Sequence, residues 1–167
     1  KSQPQSRLQM EQILYGDQPQ EWKVVSCREC PTLDQQQLCE TPREATDYWL
    51  NHVVKHPYFN PDCECFVTLL LTTRRRIHGH CLVAIGSLDS VTVHPREVFR
   101  AAIIGAAHGV ILMHNHPSGD PTPSFSDLRV TRNLHQAGEL LKIPVLDHIV
   151  IGNPEFRSLK QLGYLSD

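Results

Sequence analysis

The chain has 167 residues, of which 40% are hydrophobic and 20% are charged, and its formal net charge is -2 at pH 7. This composition is typical of one globular domain with a sizeable core. No apolar run is long enough to cross a bilayer, no signal segment opens the chain, and the near-neutral charge excludes a strongly basic nucleic-acid-binding domain. We expect a cytoplasmic protein without membrane contact, and the first residue, Lys1, leaves room for an upstream domain.

The first forty residues predict little regular structure. Residues 1–20 are rich in glutamine and are expected to form a peripheral arm. Residues 21–26 alternate like a short strand, and residues 31–40 are typical of a loop.

A helix is predicted to begin after Thr41. Pro42 suits the first helical position, and Glu44 can close a capping box with Thr41. The apolar residues then recur at helical spacing, and the helix is expected to run to about Lys55.

Two apolar runs on either side of an arginine turn predict a pair of strands. Residues 64–73 and 77–86 are rich in β-branched and apolar side chains and favour neighbouring antiparallel strands. The three arginines at 74–76 are expected to form a solvated turn, with a contact to a phosphate or an acidic partner as the alternative. Residues 91–93 are expected to add a short third strand, and Pro95 begins a helix.

The second half of the chain alternates strands and helices. Residues 110–114 are strongly apolar, as expected of a strand that is buried on both faces. A loop rich in proline follows, then a helix over about residues 125–142 and a second buried strand over residues 145–151. This order predicts an α/β or α+β sandwich around one sheet.

The candidate metal ligands follow the first buried strand. His114 and His116 are two residues apart, so a regular strand would point both imidazoles to the same face. Asp127 falls in the first turn of the next helix, and its carboxylate is expected to turn toward the sheet. Two neutral imidazoles and one carboxylate are a common catalytic zinc site that leaves one position for water.

The same loop also has a purely structural interpretation. Ser124 and Asp127 are spaced as a capping box, although capping leaves the two histidines unexplained. Catalysis at a metal would also require a general base near the water. Glu64, which opens the strand over residues 64–73, is the best candidate, and an exposed glutamate at a strand end is the alternative.

The cysteines indicate reduced thiols. Cys27 and Cys30 are spaced as C-x-x-C and Cys63 and Cys65 as C-x-C, while the other two cysteines fit no pattern. A second zinc site is the alternative to reduced thiols of an intracellular protein.

These motifs resemble a known family. Their order follows the E…H-x-H-x7-S-x-x-D pattern of the JAB/MPN metalloprotease-like (JAMM) domains, with the residues Glu64, His114, His116, Ser124 and Asp127. The segments SVTVHPREVFRAAI, ILMHNHPSGDPTPSFSDLRVTRNL and IPVLDHIVIG are similar to the bacterial RadC family, and the similarity extends over roughly residues 63–163. The letters H-N-H do not form the HNH nuclease motif, which distributes its residues over a ββα unit.

The resemblance implies a fold and a division of the chain. The fold is an α/β/α sandwich around a mixed sheet, of the cytidine-deaminase-like JAB/MPN type. It would occupy residues 63–167, and residues 1–62 would form an N-terminal arm and helix that is peripheral to this domain or extends it.

The resemblance also implies a chemistry. One zinc ion would be held by His114, His116 and Asp127, and a zinc-bound water would be activated by Glu64 as general base. Ser124 would help to stabilise the oxyanion. The implied reaction is cleavage of an amide or isopeptide bond in a peptide or protein substrate.

Other residues in the RadC-like segments are weaker candidates for a role at the metal site. Asp147 and His148 are predicted to form a pair that orients a metal ligand, and a hydrogen-bonded pair at a strand end is the alternative. The remaining histidines are expected to lie on the surface or to pack, namely His52, His56, His78, His80, His94, His108 and His135.

Three functions are consistent with the sequence. The first is a zinc-dependent, peptidase-like hydrolase, although Asn115 stands where deubiquitinating members usually have Ser or Thr. The second is a DNA-repair-associated accessory or DNA-processing protein. The arginine turn is the one feature that supports it, since the sequence before Glu64 shows no clear helix-hairpin-helix of the kind that binds DNA. The third is a non-catalytic scaffold. Scaffold members of the family usually lack some of the metal ligands, whereas this chain has all of them. The sequence specifies neither the substrate nor the oligomeric state.

Overall fold

The fold is built on a five-stranded mixed sheet. The structure is a computed structural model that describes residues 36–86 and 93–165. The strand order is β2-β1-β3-β4-β5, in which β3 and β4 are parallel and all other neighbours are antiparallel. The elements are α1 (Pro42–Asn51), a 3-10 turn (Val53–Lys55), β1 (Glu64–Leu71), β2 (Ile77–Gly86), α2 (Pro95–Ile104), β3 (Gly109–Asn115), α3 (Phe125–Leu141), β4 (Val145–Ile151) and β5 (Phe156–Ser158).

Helices cover both faces of this sheet. Because strand side chains alternate, one face of β1 and β3 presents residues such as Phe66 and Leu112, which pack with Phe99 of α2 and Leu134 of α3. The opposite face packs against α1, whose Trp49 is almost completely buried. Burial of a side chain of this size stabilises a fold by about 1.5–3 kcal/mol. The predicted α/β/α sandwich around a mixed sheet is confirmed.

The first helix belongs to the same core as the sheet. Ala45 and Trp49 of α1 are buried in one cluster with Val67 and Met113 of the central strands. The helix therefore packs on the sheet although it precedes the predicted domain boundary at residue 63. The division of the whole chain at that point stays a prediction.

One predicted helix end is wrong. The helix that begins after Thr41 was expected to reach about Lys55, but α1 ends at Asn51 and continues as a short 3-10 turn. Val53 is buried in this turn and contributes to the core around Trp49. β-branched side chains lower helix propensity, and the turn places Val53 against the core.

The arginine turn joins β1 to β2, as predicted. Arg74 and Arg75 are exposed, and Arg75 adopts a left-handed backbone conformation with a φ of 56°. Arg76 differs from the expected solvated residue, because it is half-buried and its guanidinium donates a 2.7 Å hydrogen bond to the carbonyl oxygen of Gln36.

Several predicted elements lie wholly or partly outside the described residues, namely the arm over 1–20, the strand over 21–26, residues 31–35 of the loop over 31–40 and residues 91–92 of the strand over 91–93. Among the helices that the structure describes, none is long and apolar enough to cross a membrane.

Candidate metal centre

The candidate ligands converge where β3 ends and α3 begins. His114 is the penultimate residue of β3 and is buried, and His116 follows directly after this strand. Asp127 lies in the first turn of α3. Because β3 and β4 are parallel, α3 must run back over the sheet from the end of β3 to the start of β4, so its first turn lies near the end of β3. The predicted convergence of these three side chains is therefore observed.

The distances among the three side chains fit a tetrahedral metal site. The two Nε2 atoms of His114 and His116 are 3.0 Å apart. Nε2 of His114 lies 3.3 Å from Oδ1 of Asp127, and Nε2 of His116 lies 3.4 Å from Oδ2. Tetrahedral zinc with bonds of about 2.0–2.1 Å places neighbouring ligand atoms about 3.3 Å apart. The donor set and its spacing therefore fit zinc.

The orientation of His116 is fixed by its second ring nitrogen. Nδ1 of His116 lies 2.7 Å from the backbone carbonyl oxygen of Asp120. A carbonyl oxygen can only accept, so Nδ1 donates and Nε2 of the neutral ring presents a lone pair to His114 and Asp127. Two imidazole nitrogens 3.0 Å apart require a proton or a cation between them. The contact between these two nitrogens is therefore compatible with a metal cation.

The electrostatics of the site keep the aspartate ionised. Burial alone would raise the pKa of the Asp127 carboxyl, but the facing rings of His114 and His116, which donate hydrogen bonds to it when they are protonated, outweigh burial and hold this pKa well below its usual range. The hydrogen bond with Asp127 also raises the pKa of His116, and the charge of Glu64 adds to this rise. Asp127 is therefore a carboxylate at neutral pH, as a metal ligand must be.

Glu64 lies beside this group at the start of β1. Phe66 is paired with His114 across the antiparallel strands, so continuing the register by two residues brings Glu64 level with His116. The charge of Glu64 also acts to raise the pKa of His116, which agrees with a position of Glu64 at this end of the sheet. The structure thus brings the predicted base and the predicted ligands to one end of the sheet.

Asn115 holds the backbone on both sides of Glu64. Its side-chain oxygen accepts a 2.9 Å hydrogen bond from the backbone N–H of Cys65, and its side-chain nitrogen donates a 2.9 Å bond to the carbonyl oxygen of Cys63. The sequence interpretation missed this role. The available signal was a buried amide between two candidate ligands, since such a group needs hydrogen-bonding partners.

Ser124 caps α3 and borders the site at the same time. Its Oγ accepts a 3.1 Å hydrogen bond from the backbone N–H of Asp127, and its own N–H donates a 2.7 Å bond to Oδ2 of Asp127. This is the predicted capping box, and the ligand carboxylate is one of its members. Capping and metal binding are compatible, because Oδ1 faces His114 and Oδ2 is 3.4 Å from His116.

Of the predicted pair Asp147 and His148, only His148 contacts a candidate ligand, and the two residues are joined by a hydrogen bond from the backbone N–H of His148 to the Asp147 carboxylate. Nε2 of His148 lies 2.9 Å from Nδ1 of His114, so His148 contacts a candidate ligand. The Asp147 carboxylate instead accepts from the Ser158 hydroxyl at 2.6 Å and from the backbone N–H groups of His148 and Lys160. Adjacent strand residues point to opposite faces, so Asp147 stabilises the connection to β5 and does not contact His114.

The position of His148 disfavours the charged form of its imidazole. Burial lowers the pKa of this ring well below its ordinary value, and repulsion from His114 acts in the same direction. The ring is completely buried between the sheet and α3.

Among the described residues, the other histidines and the cysteines form no comparable group. Within residues 36–86 and 93–165, the cluster of His114, His116 and Asp127 is the one that could hold an ion. Cys39, Cys63, Cys65 and Cys81 are free thiols, whereas Cys27 and Cys30 lie outside the described residues. Burial raises the pKa of the Cys39 thiol to about 12, which makes it a poor nucleophile.

Comparison with known proteins agrees with this geometry. A family model described as the RadC-like JAB domain matches residues 39–164. The chain belongs to this family. The matched RadC-like region begins before α1 and includes every candidate site residue.

Similar RadC-family proteins occur in several bacteria. The UPF0758 protein of Desulforamulus reducens is 50% identical over 104 residues, which are 62% of this chain and 46% of that protein. The UPF0758 protein of Staphylococcus carnosus is 39% identical over 137 residues, 82% of this chain and 58% of that protein. UPF0758 protein YsxA of Bacillus subtilis is 53% identical over 102 residues, 61% and 44% of the two chains. The chain thus spans about half the length of the curated relatives it matches.

Proposed function

We propose that this RadC-like JAB domain is a zinc-dependent hydrolase that cleaves an amide or isopeptide bond in a peptide or protein substrate. The observation that carries the proposal is the convergence of His114, His116 and Asp127, each of which offers one ligand atom, with these atoms all within 4.8 Å of one another. His116 and Asp127 are partly exposed, with 13% and 15% of their side chains accessible, whereas His114 is closed off. A substrate would therefore approach from the side of His116 and Asp127.

Three residues would hold the zinc, and Glu64 would move the proton. When bound, zinc would lower the pKa of a water ligand to about 7 and would polarise the carbonyl oxygen of the bond to be cleaved. The Glu64 carboxylate, level with His116, would take a proton as the water oxygen attacks the carbonyl carbon. It would return this proton to the nitrogen as the carbon–nitrogen bond breaks, so the products are a carboxylic acid and an amine.

Ser124 would stabilise the charge that develops on the substrate oxygen. Its Oγ already accepts from the Asp127 backbone, which fixes the position of the hydroxyl. Among the described residues, no group accepts the hydroxyl hydrogen of Ser124, which can therefore be donated to an oxyanion. Such a preorganised donor contributes about 10²–10³ in rate.

The test compares the zinc-loaded parent with Glu64→Gln on libraries of peptides and of isopeptides linked through lysine. We expect the parent to hydrolyse at least one substrate and Glu64→Gln to be slower by about 10²–10⁴ with unchanged zinc content. Glu139→Gln, an exposed change near the end of α3, is the matched control and should behave like the parent. A zinc-loaded parent that hydrolyses nothing, or an active Glu64→Gln, would contradict the proposal.

A DNA-associated function is the second candidate. Exposed Arg74 and Arg75 lie at the end of β1 opposite Glu64, about 25 Å away at the rise of an extended strand. These arginines cannot act at the metal centre, so DNA binding would be a separate activity. Salt-sensitive DNA binding that is lost in Arg74→Ala/Arg75→Ala, together with the absence of hydrolysis, would favour this function.

A further inference from the structure

A buried threonine connects two of the candidate ligands. Oγ1 of Thr131, one turn after Asp127 in α3, lies 2.6 Å from the backbone carbonyl oxygen of Asp127. The same Oγ1 lies 2.6 Å from Nδ1 of His148, whose Nε2 lies 2.9 Å from Nδ1 of His114. Thr131, His148 and His114 are all at least 98% buried. Water therefore has little access to replace any of these groups.

The direction of each hydrogen bond in this chain follows from the first. The carbonyl oxygen of Asp127 can only accept, so the single hydroxyl proton of Thr131 is donated to it. A threonine bond to the carbonyl four residues earlier is common in helices, and it leaves the lone pairs of Oγ1 available. Nδ1 of His148 must then be the donor to Oγ1.

The position of the proton on His148 determines which nitrogen of His114 carries a proton. A charged imidazole in a fully buried position between a hydroxyl and another imidazole is costly, so His148 carries one proton, on Nδ1. Its Nε2 is consequently an acceptor, and Nδ1 of His114 donates to it. The remaining nitrogen of His114, Nε2, is left with its lone pair directed at His116 and Asp127.

We propose that Thr131 is a positioning residue that holds His114 in its metal-binding tautomer through His148 and couples this ligand to the backbone of Asp127. The inference rests on the proposed zinc centre and adds a residue outside the family motif. It makes the hydroxyl of Thr131 necessary for tight zinc binding although Thr131 does not touch the ion.

The tautomers can be measured directly in the unmodified chain. We would record ¹⁵N–¹H correlation spectra of the histidine rings in the metal-free parent in mildly alkaline buffer. The expected result is a neutral His148 with its proton on Nδ1. A proton on Nε2 of His148 would overturn the inference, because this nitrogen would then donate to His114 and force an N–H toward the ion.

Zinc affinity provides the second test, by competition with a chromophoric chelator. Thr131→Val removes the hydroxyl but keeps the shape, and zinc binding should weaken roughly 10- to 100-fold. Thr131→Ser restores the hydroxyl and should bind within a few-fold of the parent. The matched control is Thr68→Val, because Thr68 is fully buried in β1 and its Oγ1 has no hydrogen-bond partner in the structure as described.

The outcomes separate this inference from the proposed function. If the parent binds no zinc, the zinc centre itself is wrong and the inference falls with it. If the parent binds zinc and Thr131→Val binds it equally well, the inference alone is overturned. Equal weakening in Thr131→Val and Thr68→Val would also overturn it, since that result would indicate a general packing effect. If Thr131→Val fails to fold, the spectra of the parent decide.

Discussion

At the scale of single residues, the contact made by one ring nitrogen of each histidine determines which nitrogen is left to bind a metal. His116 donates through Nδ1 to the backbone of Asp120, and Nδ1 of His114 contacts His148. Each imidazole therefore has one nitrogen occupied by the protein and the other directed at Asp127. Such partners of metal ligands fix both the tautomer and the ring orientation.

Asn115 fixes the backbone around the predicted base Glu64, as the ring contacts fix the candidate ligands. Replacement by Ala would leave the N–H of Cys65 and the carbonyl of Cys63 without their present partners next to Glu64. We expect Asn115→Ala to lower the free energy of unfolding by about 1–3 kcal/mol, because buried polar groups lose hydrogen bonds. We also expect slower hydrolysis with zinc content near that of the parent, measured by urea unfolding and by the library assay.

Two further variants make this prediction specific. Asn115→Asp keeps an acceptor for Cys65 but places a carboxylate oxygen against the carbonyl oxygen of Cys63, so it should not rescue hydrolysis. Asn133→Ala, an exposed change on α3, should alter neither stability nor rate. Unchanged stability and rate in Asn115→Ala would show that Asn115 does not hold Glu64 in place.

At the scale of elements, the N-termini of α1 and α3 allow the effect of helix capping on stability to be distinguished from an effect on catalysis. Thr41 and Ser124 each form a complete capping box, with Glu44 at the start of α1 and with Asp127 at the start of α3. Only the second box includes a candidate metal ligand. The two helices pack on opposite faces of the sheet, so α1 is a suitable internal reference for α3.

Replacement of each cap by Ala is therefore a matched experiment. Both Thr41→Ala and Ser124→Ala should lower the free energy of unfolding by about 1 kcal/mol, because each loses a side-chain bond to a backbone N–H. Ser124→Ala should in addition slow hydrolysis by about 10²–10³, because it removes the proposed oxyanion donor. Thr41→Ala should hydrolyse at the parental rate. Equal rates in the two variants would remove Ser124 from the mechanism.

At the scale of the whole molecule, the sheet and the two later helices were largely predictable from the sequence. β2 and β4 have the predicted bounds, and α3 ends one residue before its predicted end, because long apolar or periodic segments specify their own structure. β5 was not predicted, since its three residues carry no periodic pattern. The end of α1 depends on the burial of Val53, which is a tertiary effect.

The candidate site was predictable in part for similar reasons. The spacing of two between the histidines and the position of Asp127 in a first helical turn are local features. Glu64 was proposed from its place at the start of a predicted strand, and the family motif supported it. The contacts of Asn115 and Thr131 depend on partners that are distant in sequence, at Cys63 and Cys65 in one case and at His148 in the other. The alternation of side chains along a strand already indicates that Asp147 and His148 point to opposite faces of the sheet.

The central claim is that His114, His116 and Asp127 hold one zinc ion, and metal content tests it most directly. The whole chain, purified without chelators and loaded with zinc, would be analysed by mass spectrometry for metal beside Asp127→Asn. This variant keeps an oxygen that can cap α3 but loses the carboxylate, and exposed Asp62→Asn is its control. We predict about one zinc per chain in the parent and in Asp62→Asn, and much less in Asp127→Asn. A parent without zinc, or an Asp127→Asn variant that retains a full equivalent, would contradict the account.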